Sequence, residues 1–286
     1  MKKTILITGS LGYFGSLLTI HLKKSFNVYG VDIKESNGTN HIKCDLVSNE
    51  QVYKLSKSLY PDVIIHSAGL KDINYCEHNP AVATKINVGT TKNLIDNFPL
   101  SKIIYISTDY VFDGDKGNYA ESDIANPKTV YGKTKLKAEK LFFNDKELNN
   151  FNILRTSAIY DNNSMFINYL TKELECGNSV SCYDNVKYSP TWINDFVSVL
   201  KKIINEDIDK KVLHVCGDSI TRYEFALNYA KLAGFDSELV VKAYNKNNIY
   251  LFKDLSMSYN SIKELIDYRP TPHIKALHNC FFTKSK

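Results

Sequence analysis

Thr4-Ile5-Leu6-Ile7-Thr8-Gly9-Ser10-Leu11-Gly12-Tyr13-Phe14-Gly15 is the stretch whose reading decides the fold. Its apolar, β-branched start reads as a buried strand. A glycine-rich turn follows, and then an apolar helical run from Leu17 to Leu22. Strand, glycine turn and helix together make a phosphate cradle: Gly9 permits the tight turn, Gly12 lets the backbone approach a pyrophosphate, and Gly15 lets the helix pack on the strand. Leu11, Tyr13 and Phe14 lie in the same turn and are candidate cofactor contacts. The spacing is G-x-x-G-x-x-G, and an ordinary glycine turn is the competing reading of this stretch taken alone.

Downstream, strands and helices alternate. Val28–Asp32 reads as a second strand ending in an acid, placed to accept hydrogen bonds from ribose hydroxyls and to repel a 2′-phosphate. This favours NADH over NADPH, with Lys34 close enough to leave NADPH open. His41–Leu46 reads as a third strand. Asp45, with Leu46 beside it, is placed either to meet an adenine amino group or to cap the helix from Asn49 to Leu59. Asp62–Gly69 is a fourth strand running into Ser67, Ala68 and Gly69, small residues that let backbone lie against a flat ligand. His66 reads as a packed structural histidine. Glu77 to Asp96 reads as one helix, and Asn87 inside it, a poor helix former, hints at a task for its side chain. Lys102–Thr108 is a fifth strand, a helix opens at Thr129–Lys135, and Phe151–Arg155 is a sixth strand. The expected fold class is α/β: a Rossmann-like, doubly wound parallel sheet over residues 1–155. After residue 155 the rhythm changes to short strands (Val180 to Tyr183, Val212 to Cys216) and helices from Met165 to Glu175, Trp192 to Ile204 and Tyr223 to Ala233. Residues 156–286 are therefore expected to form a smaller mixed α/β substrate lobe, partly interleaved with the first, with ligands at the carboxyl ends of the strands.

Composition narrows the classes. The 286 residues are 43% apolar, enough for a sizeable core, and the net charge of +5 is spread along the chain rather than gathered in a nucleic-acid-binding tail. Cys44, Cys76, Cys176, Cys182, Cys216 and Cys280 form no C-x-x-C pair and no zinc-spaced cluster, so free thiols in a reducing cytosol and no metal site are expected. Met1-Lys2-Lys3 imitates a signal-peptide start, but the apolar run after it breaks at Gly9. No stretch approaches the length needed to span a membrane.

Tyr131 and Lys135 are four apart and share a helix face. The Y-x-x-x-K pattern recurs at Tyr53/Lys57, Tyr183/Lys187 and Tyr259/Lys263, so context must single out one pair. Tyr131 alone opens a helix after the fifth strand, downstream of Ser107-Thr108 and the glycine turn. With these features the chain resembles an extended short-chain dehydrogenase/reductase, and within that superfamily the dTDP-4-dehydrorhamnose reductase family of nucleotide-sugar ketoreductases. The matching stretches are Thr8–Gly15, Ser107–Gly114 (STDYVFDG), Tyr131–Lys135 (YGKTK), Arg155-Thr156-Ser157, Ser189-Pro190-Thr191 and Arg269-Pro270.

The resemblance implies a catalytic triad of Thr108, Tyr131 and Lys135, with Asn87 completing the group. It implies a nicotinamide cofactor, NADH or NADPH, whose ribose Lys135 can also hold, and a nucleotide-activated 4-keto-6-deoxysugar as substrate. The chemistry suits the residue types: the Lys135 ammonium is expected to lower the Tyr131 pKa, Tyr131 to donate a proton, and the Thr108 hydroxyl to bond the same oxygen. Sugar 4,6-dehydratases of the superfamily read Ser-Thr-Asp-Glu where this chain has Tyr110. That change favours simple ketoreduction and makes Tyr110 a sugar contact, with Asp109 either structural or part of the site. The family tryptophan after Arg-Thr-Ser is Ala158 here, and Tyr188 stands where a small residue is common, which implies a reshaped sugar pocket. An epimerase and a non-catalytic regulatory subunit are the alternatives. A homodimer is open; a metal-bridged one occurs in relatives, but its ligands do not map onto this sequence.

Overall fold

A computed structural model describes residues 2–144, 148, 150–206, 208–209, 211–246, 248 and 250–282. The chain divides into two compact units, one of residues 1–111, 125–155 and 200–213 and another of residues 112–124, 156–199 and 214–286.

The first unit is built on a seven-stranded sheet. Its elements in chain order are β1 (Thr4–Thr8), α1 (Tyr13–Leu22), β2 (Asn27–Asp32), β3 (His41–Lys43), α2 (Asn49–Ser58), β4 (Val63–His66), α3 (Ile73–His78), α4 (Pro80–Thr84), a π-helical turn (Lys85–Gly89), α5 (Thr90–Asn97), β5 (Lys102–Thr108), a 3₁₀ turn (Asp109–Val111), α6 (Val130–Asn144) and β6 (Phe151–Thr156). The strand order is β11-β6-β5-β4-β1-β2-β3, with β11 (Lys211–His214) arriving late in the chain. The β1/β2, β2/β3, β1/β4 and β4/β5 pairs are all parallel; Leu6, for example, lies opposite Tyr29 on one side and Ile64 on the other. Parallel strands covered on both faces need unbroken apolar runs, and every residue of β4 and β5 is buried. The chain runs from β1 to β2 and β3 and then returns to lay β4 on the other side of β1. That reversal opens a crevice at the carboxyl ends of β1 and β4.

The doubly wound sheet is the one the sequence predicts, with differences that have physical causes. The third strand ends at Lys43. The helix after it is capped by Ser48, whose hydroxyl accepts from the Gln51 N–H, so Asp45 is not its cap. The single helix expected over Glu77–Asp96 is broken. Asn79 interrupts it before Pro80, and Lys85–Gly89 then widens into a π turn that carries Asn87. The strand at Val212–Cys216 does not stay with the late elements but joins the large sheet as β11.

The second unit contains β7 (Ile159–Tyr160), α7 (Met165–Glu175), β8 (Val180–Tyr183), β9 (Lys187–Tyr188), β10 (Thr191–Trp192), most of α8 (Ile193–Asn205), β12 (Ile220–Thr221), α9 (Arg222–Ala233), β13 (Val240–Ala243), α10 (Asn260–Ile266) and α11 (His273–Phe282). Its strands form three two-stranded pairs, β10 with β7, β12 with β9 and β13 with β8. Its core gathers Ile167, Leu170, Phe225, Tyr229 and Leu277. No helix among the described residues is long and apolar enough to cross a membrane.

Candidate active site

The glycine turn is shaped so that only glycine fits. Gly9 has φ +66, and a Cβ there would lie 2.9 Å from the Ala68 Cα in the loop after β4. A Cβ on Gly15 would stand 2.1 Å from the Gly9 carbonyl oxygen. The turn is closed by Gly12 N–H donating to Gly9 O at 3.0 Å. Gly12 is the N-cap of α1, supplies no capping side chain, and no acid occupies the first helical turn where Tyr13 and Phe14 stand. This is the positive end of a helix left open for an anion. At the end of β2 the Asp32 carboxylate accepts from the Leu11 N–H and the Lys34 N–H, both at 3.1 Å, tying the strand end to the turn. Asp45 accepts from the Val47 N–H beside Leu46. The loop after β4 is held by Ser67 Oγ donating to Thr8 O at 2.6 Å and Ala68 N–H donating to Thr8 Oγ1 at 3.0 Å. These residues stand at or just past the carboxyl ends of β1 to β4, where the strand order reverses, and suit a dinucleotide.

Asn87 has a task of its own. Its Oδ1 accepts from Leu70 N–H at 2.7 Å, and its Nδ2 donates to Leu70 O at 3.0 Å and Thr134 Oγ1 at 2.9 Å. Asn87, which the sequence also makes a candidate cofactor contact, thereby ties the loop beyond Gly69 to α6. His66 is buried between Thr8 (Nδ1 to Oγ1, 2.8 Å) and Thr91 (Nε2 to Oγ1, 3.0 Å), and burial, with the Lys135 charge, pulls its pKa down to about 3. It is the structural histidine the sequence suggests.

Thr108, the last residue of β5, comes together with Tyr131 and Lys135 of α6. The Thr108 hydroxyl donates to Asp109 Oδ1 at 2.9 Å and is hydrogen-bonded to Tyr131. A threonine hydroxyl both donates and accepts, so Thr108 can bond Asp109 and Tyr131 at once. Asp109 is therefore part of the network and not only a loop cap. Tyr110 packs its ring edge-on against Tyr131, with centroids 5.9 Å apart. The close approach depends on Gly132, where a Cβ would come 2.1 Å from the Tyr110 carbonyl oxygen. The start of α6 is fixed by Thr129 Oγ1, which accepts from Gly132 N–H, and by the Glu77 carboxylate of α3, which accepts from Val130 N–H at 2.6 Å.

One turn on, the Lys135 ammonium donates to Ile106 O at 2.6 Å and sits 4.0 Å from the Tyr105 ring centroid. Burial pulls its pKa down to about 7, against a smaller upward pull from Glu139. Burial likewise holds the Tyr131 phenol above the ordinary tyrosine value, more than the Thr108 bond lowers it. The phenol thus lies above its ordinary value and not below it as expected, with burial the largest cause. By contrast, Tyr53 and Lys57 form a surface cation–π pair on α2.

Two residues that the motif reading did not place in the site hold α6 in register. Glu139, one turn past Lys135, takes a bidentate ion pair from Arg155 of β6 (2.7 and 3.1 Å) and a hydrogen bond from Ser107 at the end of β5. The signal was present as a third member of the Tyr131–Lys135–Glu139 face at four-residue spacing. Ala158 is exposed in the second unit, where its carbonyl accepts from Thr191 N–H. No group of acids, histidines and cysteines suited to a metal occurs among the described residues.

The family described as RmlD substrate binding domain matches residues 1–254. The dTDP-4-dehydrorhamnose reductase of Aggregatibacter actinomycetemcomitans is 30% identical over 239 residues, covering 78% of this chain and 76% of that protein. Methionine adenosyltransferase 2 subunit beta of Rattus norvegicus is 29% identical over 249 residues, covering 79% of this chain and 70% of that protein. Among solved structures, the dTDP-4-dehydrorhamnose reductase of Bacillus anthracis, in complex with NADP, superposes with a TM-score of 0.86 at 25% identity over 98% of both chains.

Proposed function

The chain belongs to the RmlD substrate-binding-domain family, and we propose that it reduces the keto group of a nucleotide-activated 4-keto-6-deoxysugar with NADH or NADPH. The observation that carries the reading is the hydrogen-bonded Tyr131–Thr108 pair one helical turn from a buried Lys135, on a sheet whose crevice fits a dinucleotide. The α1 N-terminus and Gly9–Gly15 would hold the pyrophosphate, Asp32 the adenosine ribose, and Ser67–Gly69 the flat face of the cofactor. A bound reduced nicotinamide supplies the hydride. Tyr131 keeps its proton through burial and gives it to the carbonyl oxygen. Thr108, polarised by Asp109, aligns that phenol and, released from Asp109, donates to the same oxygen. Lys135 brings a cation to the phenolate left behind. The Asp32 carboxylate favours NADH, since a 2′-phosphate beside it is repelled.

Cofactor oxidation followed at 340 nm with a panel of nucleotide-linked keto-sugars tests the reading. Turnover with a 4-keto-6-deoxysugar is expected, and Tyr131→Phe should abolish it while leaving cofactor binding intact. No oxidation with any member of the panel, in protein shown to bind cofactor, would overturn the assignment. The similarity to methionine adenosyltransferase 2 subunit beta favours a second reading, a non-catalytic subunit that keeps the nucleotide fold. A biological activity that survives Tyr131→Phe would support it.

A further inference from the structure

Lys135 and Glu139 are four residues apart on α6, and both are buried. Opposite charges at that spacing on one helix face are near enough to pair. Burial sharpens the tendency, because a buried charge is costly unless it is paired. Yet no ion pair joins these two among the described residues. The Lys135 ammonium donates to Ile106 O at 2.6 Å and stands over the Tyr105 ring. The Glu139 carboxylate is taken instead by Arg155 of β6, whose Nε donates to Oε1 at 3.1 Å and whose terminal nitrogen donates to Oε2 at 2.7 Å. Ser107, at the end of β5, adds a hydrogen bond to Oε1. Both oxygens are engaged away from Lys135.

The other titratable groups nearby are uncharged near neutral pH. Burial pulls the His66 imidazole of β4 down to about 3. Burial holds the proton on Tyr105 of β5 and on Tyr131 of α6. Asp109, after β5, and Cys76 of α3 bear on Tyr131. Glu139 is the group whose charge acts on Lys135, pulling its pKa up against the larger downward effect of burial. Arg155, bonded to the same carboxylate, offsets part of that pull. The choice of arginine has a reason. Its planar fork covers both oxygens of a carboxylate, whereas a lysine is a point charge and would leave one of them open.

We propose that Arg155 is a positioning residue: by taking both carboxylate oxygens of Glu139 it withholds them from Lys135 and leaves the ammonium at Ile106 O, one helical turn from the Tyr131 phenol. That this cation serves a phenol in ketone reduction rests on the reductase reading; the withholding of Glu139 does not. Without Arg155 the carboxylate turns to Lys135 and the two close an ion pair along α6. The lysine is then fixed in its charged form and drawn back toward Glu139, away from the end of the helix where Tyr131 stands.

NMR of the full chain labelled with carbon-13 at the lysine ε-carbons reads the charge on Lys135 directly, its signal identified by loss in Lys135→Met. In wild type the signal should titrate with a midpoint of about 7. Arg155→Ala should raise the midpoint by about one to three pH units, the range for an opposite charge brought close. Arg155→Lys should fall between wild type and Arg155→Ala. Glu139→Gln, which removes the upward pull, should lower the midpoint, and Arg155→Ala with Glu139→Gln should return it to the wild-type value or below. Circular dichroism reports which variants are folded; if Arg155→Ala is not, Arg155→Lys and the double variant carry the test. With a substrate found by the 340 nm assay, the limb of the kcat pH profile that belongs to Lys135 should move in the same directions, which loss of packing alone would not produce. Shifted midpoints in a protein that reduces no keto-sugar sustain the role of Arg155 while the reductase reading falls. Midpoints in the folded Arg155 variants that match wild type, or that fall, overturn it.

Discussion

Replacing Lys135 with methionine should make the cofactor-free protein more stable near neutral pH, by an amount that shrinks as pH rises. The ammonium is buried, and its pKa falls from 10.5 to about 7. Between those values the unfolded chain holds a proton that the folded chain has released, so stability climbs with pH. Below about pH 7 both states hold the proton and the full cost of burying the charge remains. The fall from 10.5 to about 7 corresponds to about 5 kcal/mol at about 1.36 kcal/mol per pH unit. The bond to Ile106 O and the Tyr105 ring support the charged form and keep the realised cost at or below that figure. Methionine matches the stem and carries no charge. In urea denaturation across pH 7 to 9.5, the wild type should gain roughly 3 kcal/mol relative to Lys135→Met, since over most of that interval the slope is near 1.36 kcal/mol per pH unit. A gap between the two proteins that stays flat, or that widens in favour of methionine with rising pH, refutes the reasoning: Lys135 would then be stably charged throughout and burial would not be the force acting on it.

Gly132→Ala puts a methyl 2.1 Å from the Tyr110 carbonyl oxygen and 2.9 Å from Pro127 Cβ; neither is a flexible side-chain end, so α6 must move. The expected cost is about 1–3 kcal/mol in denaturant unfolding, with a fall in kcat much larger than any change in cofactor affinity, because Tyr131 is carried off its position. Arg155→Ala leaves the Glu139 carboxylate buried without its partner, 3% exposed in the intact pair, and should cost about 3–5 kcal/mol. Arg155→Ala together with Glu139→Leu should recover a good part of that loss, read as a coupling energy in a double-mutant cycle.

What could be read from the chain before its structure depended on how local each constraint is. The Gly9–Gly15 turn was legible because steric demands confined to seven residues select glycine at three of them. The Tyr131–Lys135 face was legible because a helix repeats every turn, whatever lies around it. The π turn at Lys85–Gly89 was not, because the bulge serves contacts outside the helix: Asn87 is drawn to Leu70 and Thr134, far away in sequence. The cap of α2 passed from Asp45 to Ser48 since both satisfy the same sequence rule, and only the path of the chain chooses between them. The Tyr131 pKa went the other way from expectation for the same reason, as the number of atoms packed around a phenol cannot be counted from its neighbours in sequence. β11 was recognised as a strand but not as a member of the large sheet, since strand pairing across some fifty residues leaves no local mark.

The direction of the Tyr131 shift bears on the chemistry. A phenol lowered toward neutrality would idle as a phenolate and would suit removal of a proton from an alcohol. Here burial keeps the proton on oxygen, and the Thr108 hydroxyl links Tyr131 to the buried Asp109. A nearby cation that is itself near half-protonation at pH 7 adds little field until negative charge appears. When a carbonyl oxygen gains charge beside Tyr131, that charge and the departing phenol proton both raise the value of a protonated Lys135, so its stabilisation grows with the reaction instead of preceding it. Interactions that strengthen only as charge develops are the ones that lower a barrier. A neutral phenol beside a lysine near half-protonation suits the proposed protonation of a ketone. A lysine held firmly cationic from the outset would have spent part of that interaction on the resting enzyme.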